Sequence, residues 1–226
     1  MNLAKLYACA LTCCISLSLT TRALAETLRV CSGCPSTTPG NYTSTSEALR
    51  ASSAGDRILV AKGNYDESLG VRHRITIEGG YNNDFSTRDS AANPVRIRYI
   101  QTSAYAEGGN MAVYRGLEIT GSTSQGIYHA APTLGIRIED CHIHNNQGGV
   151  YIRPAVERIE IINNEIHDNA GYGGIYVFSP EETLPIRITD NHIYNTTSST
   201  GTVGCVSLAG RWVTCFCSHS MQTQAL

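Results

Sequence analysis

The second half of the chain contains three copies of one block that align without a gap, at residues 136–146, 159–169 and 186–196. In each copy isoleucines alternate with polar residues, which predicts short strands with one face turned inward. Asn and Asp recur where the strands end, as is typical of turns. A unit this short cannot bury its apolar face alone, so the copies must stack on one another.

A second strand separates the blocks, because Gly126, Gly149, Gly174 and Gly201 each begin a short apolar stretch. Fainter copies lie upstream at 58–60, 75–80, 95–98 and 116–121. Stacking like strand on like strand gives a parallel β-solenoid, in which each coil rises by about 4.8 Å. Some six coils would form a rod on the order of 30 Å long. The repeat therefore predicts an all-β solenoid.

The N-terminal half carries a resemblance to a known family. Residues 41–50 precede the run GDRILVAKGNYDE at 55–67, and a further matching stretch occupies 77–94. These stretches resemble the entry to a right-handed parallel β-helix, and they are similar to bacterial secreted, surface (adhesin-like) and pectate-lyase-like members. The resemblance implies a short capping helix within 26–54 and a single-stranded right-handed parallel β-helix over 55–204. It implies little about activity, because this scaffold serves lyases, hydrolases and passive adhesins alike.

Residues 1–25 have the composition of a secretory signal peptide. Lys5 gives a positive start, residues 6–19 form an apolar run, and Ala23 and Ala25 frame a cleavage site before Glu26. The run is too short to span a bilayer, so we expect no transmembrane segment after cleavage. A lipoprotein signal acylated at Cys9 or Cys13 is the alternative that fits less well. The sequence predicts a secreted, periplasmic or cell-surface protein.

Charge and cysteine content exclude one class of partner and favour a local disulfide. The chain has 17 Lys and Arg against 19 Asp and Glu, and two of the basic residues leave with the signal, so we expect no nucleic-acid partner. Six cysteines remain in an oxidising compartment, an even number that permits full pairing. Cys31 and Cys34 lack the second cysteine pair or histidine of a zinc site, so we predict a disulfide between them.

Aligning the copies places two columns of titratable side chains on one outward face. The columns are His142, Glu165, His192 and His144, His167, Tyr194. Glu165 between two imidazoles fits a general base beside a histidine of raised pKa, or part of a metal site. The alternative is a ladder of alternating charge, as in the neighbouring column Arg137, Glu160, Arg187. For a catalytic role the candidates are Glu165, His142, His144, His167 and His192, and we assign no metal ligands.

Two further columns lie at the predicted turns. They are Asp140, Asn163, Asp190 and Asn145, Asp168, Asn195. Their oxygen atoms suit Ca²⁺. The favoured alternative is an asparagine ladder that satisfies the backbone of the turns. We therefore predict no cofactor, with Ca²⁺ as a weaker possibility.

Tyr128, Tyr151 and Tyr176 form a third outward column. The rings have two interpretations: they accept sugar rings on their faces, or they pack on one another and stabilise the sheet. The first interpretation predicts substrate-binding residues for a polysaccharide or a cell-surface glycan.

The repeat ends after residues 201–203, and 205–226 show neither strand alternation nor an amphipathic cover. We interpret this tail as the result of truncation or a frameshift, and a disulfide cap formed by Cys205, Cys215 and Cys217 is the competing interpretation. The leading functional hypothesis is a non-catalytic exported protein that contacts glycans along the solenoid. The alternatives are a carbohydrate-active enzyme, either a polysaccharide lyase or a glycoside hydrolase, and a fragment without its own function.

Overall fold

The computed structural model describes residues 25–34, 41–107, 111–131, 134–153, 158–171, 173–177 and 186–197, and of 104–107 the backbone only. The predicted signal peptide, apart from its last residue, lies outside these residues. So does the predicted tail at 205–226 with its three cysteines, together with the repeat that begins at Gly201. The predictions about export, truncation and the C-terminal disulfide cap therefore stay predictions.

One short helix and nineteen short strands make up the described chain. The helix is α1 (Thr45–Ala51). The strands of the first half are β1 (Thr27–Val30), β2 (Asn41–Tyr42), β3 (Arg57–Ala61), β4 (Gly63–Asn64), β5 (Ser68–His73), β6 (Thr76–Tyr81), β7 (Val95–Ile97), β8 (Tyr99–Glu107) and β9 (Met111–Arg115). Those of the second half are β10 (Glu118–Thr120), β11 (Gln125–His129), β12 (Gly135–Glu139), β13 (His142–His144), β14 (Gly148–Ile152), β15 (Ile159–Ile162), β16 (Glu165–His167), β17 (Ile175–Val177), β18 (Ile186–Thr189) and β19 (His192–Tyr194).

The strands form three parallel sheets that run along the molecule. Sheet A has the order β18-β15-β12-β9-β6-β3-β1-β2, sheet B the order β19-β16-β13-β10-β7-β4, and sheet C the order β17-β14-β11-β8-β5. From β3 onward the chain visits the sheets in turn, so each strand pairs with its counterparts in the preceding and following coils. The predicted all-β parallel β-helix with a short N-terminal helix is confirmed.

The inward residues of the repeat fill the space between the sheets. Ile136 pairs with Ile159, and Ile143 with Ile166, in the registers that the gapless alignment predicts. All four side chains are buried, with exposures of at most 1%. A one-residue slip would turn every one of these side chains out to solvent, so burial of the isoleucines sets the register.

The N-terminal end of the stack is closed by α1. Ser44 caps the helix by accepting a hydrogen bond from the backbone of Glu47, and the helix buries its own Ala48 and Leu49. The Glu67 carboxylate accepts hydrogen bonds from the backbone N–H groups of Thr45 and Ser46, at 3.1 and 2.6 Å. Strands β1 and β2 lie within the predicted cap segment 26–54, yet they already belong to sheet A. The coil stack therefore begins before the helix.

The turns follow one rule in the three repeat blocks. Six exposed or half-buried residues have positive φ, between 49° and 61°: Asp140, Asn145, Asn163, Asp168, Asp190 and Asn195. The residue after each of them is buried: Cys141, Asn146, Asn164, Asn169, Asn191 and Thr196. Asn146, for example, accepts from the Ser122 N–H at 2.9 Å and donates to the Ile119 carbonyl at 3.0 Å. The asparagine ladder thus exists, but it lies one residue later than predicted.

The outer face of sheet A has the predicted alternation of charge. Arg137 pairs with Glu160, and Glu160 with Arg187, in register. The buried Glu160 side chain forms ion pairs with Arg137 and Arg158. Basic and acidic residues thus alternate from one coil to the next in this column. This alternation supports its interpretation as a ladder of opposite charges.

Close approach of successive coils in sheet C makes Gly149 sensitive to substitution. A Cβ on Gly149 would lie 2.1 Å from the Gly174 carbonyl oxygen, a backbone atom that cannot rotate away. We expect Gly149→Ala to lower the free energy of unfolding by about 1–3 kcal/mol, as overpacking does. Gly70→Ala is the control, because a Cβ there meets nothing within 4 Å. Urea unfolding followed by circular dichroism measures both, and equal losses would contradict the prediction.

Candidate functional site

The outer face of sheet B carries the two columns of titratable side chains. Glu165 lies between His142 and His192 in the strand register, and His167 lies between His144 and Tyr194. The columns predicted from the aligned copies are therefore confirmed. The same columns continue upstream, where Glu118 pairs with Arg96 on one side and His142 on the other, and Thr120 pairs with His144.

Three of the predicted histidines converge, and the fourth does not join them. His142, His144 and His167 each present a ring nitrogen, and these nitrogens lie within 4.8 Å of one another. Nε2 of His142 is 2.6 Å from Nε2 of His167, and the rings of His144 and His167 are stacked with centroids 5.1 Å apart. His192 is exposed one coil further on, where its ring contacts Tyr194.

Glu165 is a carboxylate held in its ionised form. The Tyr194 hydroxyl donates a hydrogen bond to Glu165 Oε1 at 2.8 Å, and this bond is the main reason why the pKa of Glu165 is lowered. Burial and the same hydrogen bond raise the pKa of Tyr194 to about 12. Oε2 of Glu165 lies 3.9 Å from Nε2 of His142. A carboxylate beside an imidazole is therefore present, as a general base would require.

The expected raised histidine pKa is wrong for His142. Burial lowers the pKa of His142, and the neighbouring His144 adds to the effect because two imidazolium charges repel. Glu165 acts in the opposite direction but does not outweigh these two causes. At neutral pH the pair is thus a carboxylate next to a neutral imidazole.

A shallow groove of about 570 Å³ runs along the edge of this face. Its lining comes from four successive coils, so it extends along the axis of the molecule. The polar residues of the lining are Ser90, Arg96, Glu118, Asp140, His142, Asn163 and Glu165. Arg96 and Glu118 form an ion pair at 2.8 Å, in which the Arg96 side chain is 54% exposed. The groove therefore offers charged hydrogen-bonding groups at each coil.

The tyrosine column lies on sheet C, away from the histidines of sheet B. Tyr128, Tyr151 and Tyr176 are in register and half-buried. The Tyr151 ring stacks on Tyr128 at a centroid distance of 5.6 Å and on Tyr176 at 4.9 Å. Both faces of Tyr151 are thus covered by tyrosine. This geometry favours the interpretation as a packed stack, since a sugar could reach only the edge of the Tyr151 ring.

The two columns of Asp and Asn residues at the turns have side-chain contacts typical of turns. Asn163 donates its amide N–H to Asp140 Oδ1 at 2.8 Å. The amide therefore presents a donor to the carboxylate and not a second oxygen for a shared cation. The ligand set expected for Ca²⁺ is not formed by these two side chains.

The family model for the right-handed β-helix region matches residues 80–216, more than half of the 226 residues. The chain belongs to the right-handed β-helix family. No curated protein and no solved structure matches it. Among the described residues of this β-helix, no helix combines the length and the apolar character needed to cross a bilayer.

The cysteines of the β-helix that the structure describes divide into a pair and a single thiol. Cys31 and Cys34 are joined by a disulfide, in the predicted pairing. Cys141 is a free thiol in the core, where burial raises its pKa to about 12. A thiol this protonated is a poor nucleophile, so Cys141 is a structural residue.

Sequence reasoning missed two kinds of residue in the β-helix. Arg96 and Glu118 belong to the groove but lie in the fainter upstream copies, where only the strand register could have revealed them. His129 points inward on sheet C, fully buried, with Nε2 at 2.8 Å from the Leu134 carbonyl. Its position after Gly126-Ile-Tyr, where the other copies have Ile152 and Val177, marks it as a core position.

Proposed function

We propose that this right-handed β-helix is an exported protein that binds a polysaccharide or cell-surface glycan along the groove of sheet B. The observation that carries the proposal is the lining of the groove, which repeats charged and polar side chains over four coils. A linear polysaccharide presents hydroxyl groups at regular intervals, and it can lie along such an axis. Export rests on the signal-like composition of the first 25 residues.

The open shape of the groove supports binding of a polymer more than binding of a small molecule. Small-molecule sites are usually enclosed and mostly apolar, whereas this groove is shallow, and each of its four coils contributes an acidic or basic side chain to the lining. The sides of the groove are fixed by the sheets, so a glycan would meet a largely preformed surface. Preformed surfaces lower the entropic cost of binding.

Arg96 provides the test of this proposal. The Arg96 side chain is exposed, and Glu118, which is more buried, keeps His144 Nε2 as a partner at 3.3 Å, so Arg96→Ala should fold normally. Loss of a hydrogen bond from a charged group costs about 1.5–3 kcal/mol. We therefore expect Arg96→Ala to weaken binding by roughly 10-fold to 100-fold. Affinity electrophoresis of the purified chain in gels that contain a panel of acidic and neutral polysaccharides measures the change.

Tyr151→Ala is the matched control, because it alters a column on a different sheet. We expect it to bind as the unaltered chain does, after circular dichroism has confirmed its fold. Retention of the unaltered chain by no polysaccharide in the panel would contradict the proposal. Loss of binding in Tyr151→Ala but not in Arg96→Ala would move the site to the tyrosine column.

The second candidate is a carbohydrate-active enzyme, which is favoured by the ionised Glu165 carboxylate beside His142. The same polysaccharide panel separates the two functions. Release of new chain ends that Glu165→Gln abolishes would identify an enzyme, whereas retention without release identifies a binding protein.

A further inference from the structure

Three imidazoles converge on the outer face of sheet B, in an arrangement that could bind a metal ion. His142 and His144 lie two residues apart on β13, and His167 lies beside His144 on β16. We propose that His142, His144 and His167 bind a transition-metal ion of the Zn²⁺ type. This inference goes beyond glycan binding and does not depend on it.

The distances between the nitrogens fit a shared ion after small side-chain rotations. Zn–N bonds of about 2.0–2.1 Å at tetrahedral angles place two ligand nitrogens about 3.3 Å apart. The three nitrogens lie within 4.8 Å of one another, and the Nε2 atoms of His142 and His167 are 2.6 Å apart. The required separation therefore lies between the observed extremes. Imidazole is also the side chain that Zn²⁺, Ni²⁺ and Cu²⁺ share as a preferred ligand.

A hydrogen bond at Nδ1 of His167 orients the Nε2 atom of the same ring toward the cluster. Nδ1 of His167 lies 2.6 Å from Asp168 Oδ2. Because a carboxylate only accepts, Nδ1 carries the proton of the neutral ring, and in that tautomer Nε2, which faces His142, has the lone pair that a metal requires. A carboxylate that holds the second nitrogen of a histidine is the usual support of a metal ligand.

Glu165 lies beside the three histidines and is the candidate for a fourth ligand. Tyr194 donates to Oε1 of this carboxylate, so Oε2 is the oxygen directed at His142. Three nitrogens and one oxygen would complete the tetrahedron that Zn²⁺ prefers. The carboxylates of Glu165 and Asp168, with Glu118 at 3.3 Å from His144 Nε2, also offset the charge of the ion.

A metal at this position would connect two successive coils. His142 and His144 come from β13 and His167 from β16, so the ion would bind across the hydrogen-bonded pair of strands. Metal binding to the folded chain alone then raises its stability by mass action.

Titration calorimetry with Zn²⁺ tests the proposal on the purified full chain, prepared without a histidine tag. We expect one Zn²⁺ per chain and a weakening in His142→Gln that exceeds the roughly 10-fold to 100-fold cost of losing a residue that only supports a ligand. His167→Gln should give the same loss, which guards against misfolding of either variant. Asp168→Asn should weaken binding by about 10-fold, because it removes only the support of His167.

His192→Gln is the matched control, since His192 lies on the same face but outside the cluster. We expect it to bind Zn²⁺ as the unaltered chain does. Co²⁺ in place of Zn²⁺ should give the intense visible absorption of a tetrahedral site. The proposal is wrong if the unaltered chain takes up no stoichiometric Zn²⁺, or if His192→Gln weakens binding as much as His142→Gln does. Glycan binding has no part in this readout, so the two proposals fail separately.

Discussion

Asn164→Ala is expected to lower the free energy of unfolding by about 2–4 kcal/mol. The side chain is buried between successive coils, where its Oδ1 accepts from the Cys141 N–H at 2.9 Å. Its Nδ2 donates to the Ile138 carbonyl at 3.0 Å and to Asn191 Oδ1 at 2.8 Å. Alanine removes all three contacts and leaves the Cys141 N–H buried without its acceptor. An unsatisfied buried donor alone costs about 1–3 kcal/mol.

Asn163→Gly is the control for Asn164→Ala, because the two asparagines are adjacent but differ in burial. Asn163 is exposed and has a φ of 53°, which glycine adopts without strain. We expect it to change the stability by less than about 1 kcal/mol. Urea unfolding followed by circular dichroism compares the variants. Similar losses in both would mean that the ladder of buried asparagines does not hold the coils together.

The difference between Asn163 and Asn164 also marks the limit of the sequence as a guide to this fold. Alternation with a period of two residues predicts which isoleucines point inward, and the gapless copies then fix the register of every column. At the end of each strand in a block, however, the chain passes through one residue of positive φ. That residue interrupts the alternation, so the next residue turns into the core. The letters Asn-Asn do not say which amide is buried.

The same reasoning separates the predictable and unpredictable parts of the candidate site. The two columns around Glu165 and His167 follow from register alone, and the strand pairing agrees with them. The approach of His142 to His167 depends on side-chain rotation, and the groove depends on strands with weak repeat signals. The neighbouring Glu165 by itself predicts a raised pKa for His142, and this prediction is wrong. The burial of His142 and the adjacent His144 lower its pKa by more than Glu165 raises it.

Acidification from pH 6.5 to pH 4 should cost the protein about 3 kcal/mol of stability through His129 alone. Burial lowers the pKa of His129 to about 4, against 6.5 in the unfolded chain, although the Leu134 carbonyl opposes the shift. Between these two values the unfolded state binds a proton that the folded state does not. Stability therefore rises with pH across this window and is lost as the pH falls. His142 acts in the same direction, because its pKa is lowered too.

His129→Gln isolates this contribution, since glutamine keeps an N–H donor for the Leu134 carbonyl but does not titrate. Other ionisable groups act on both chains, so the informative quantity is the difference between their unfolding free energies at each pH. Urea unfolding at pH 7.5, 6.5, 5 and 4 should find that this difference shifts by about 3 kcal/mol in favour of the variant at the acid end. If this difference stays the same at every pH, the prediction is wrong. His129 would then take up its proton in the folded core as readily as in the unfolded chain, which would require an acceptor for its second nitrogen.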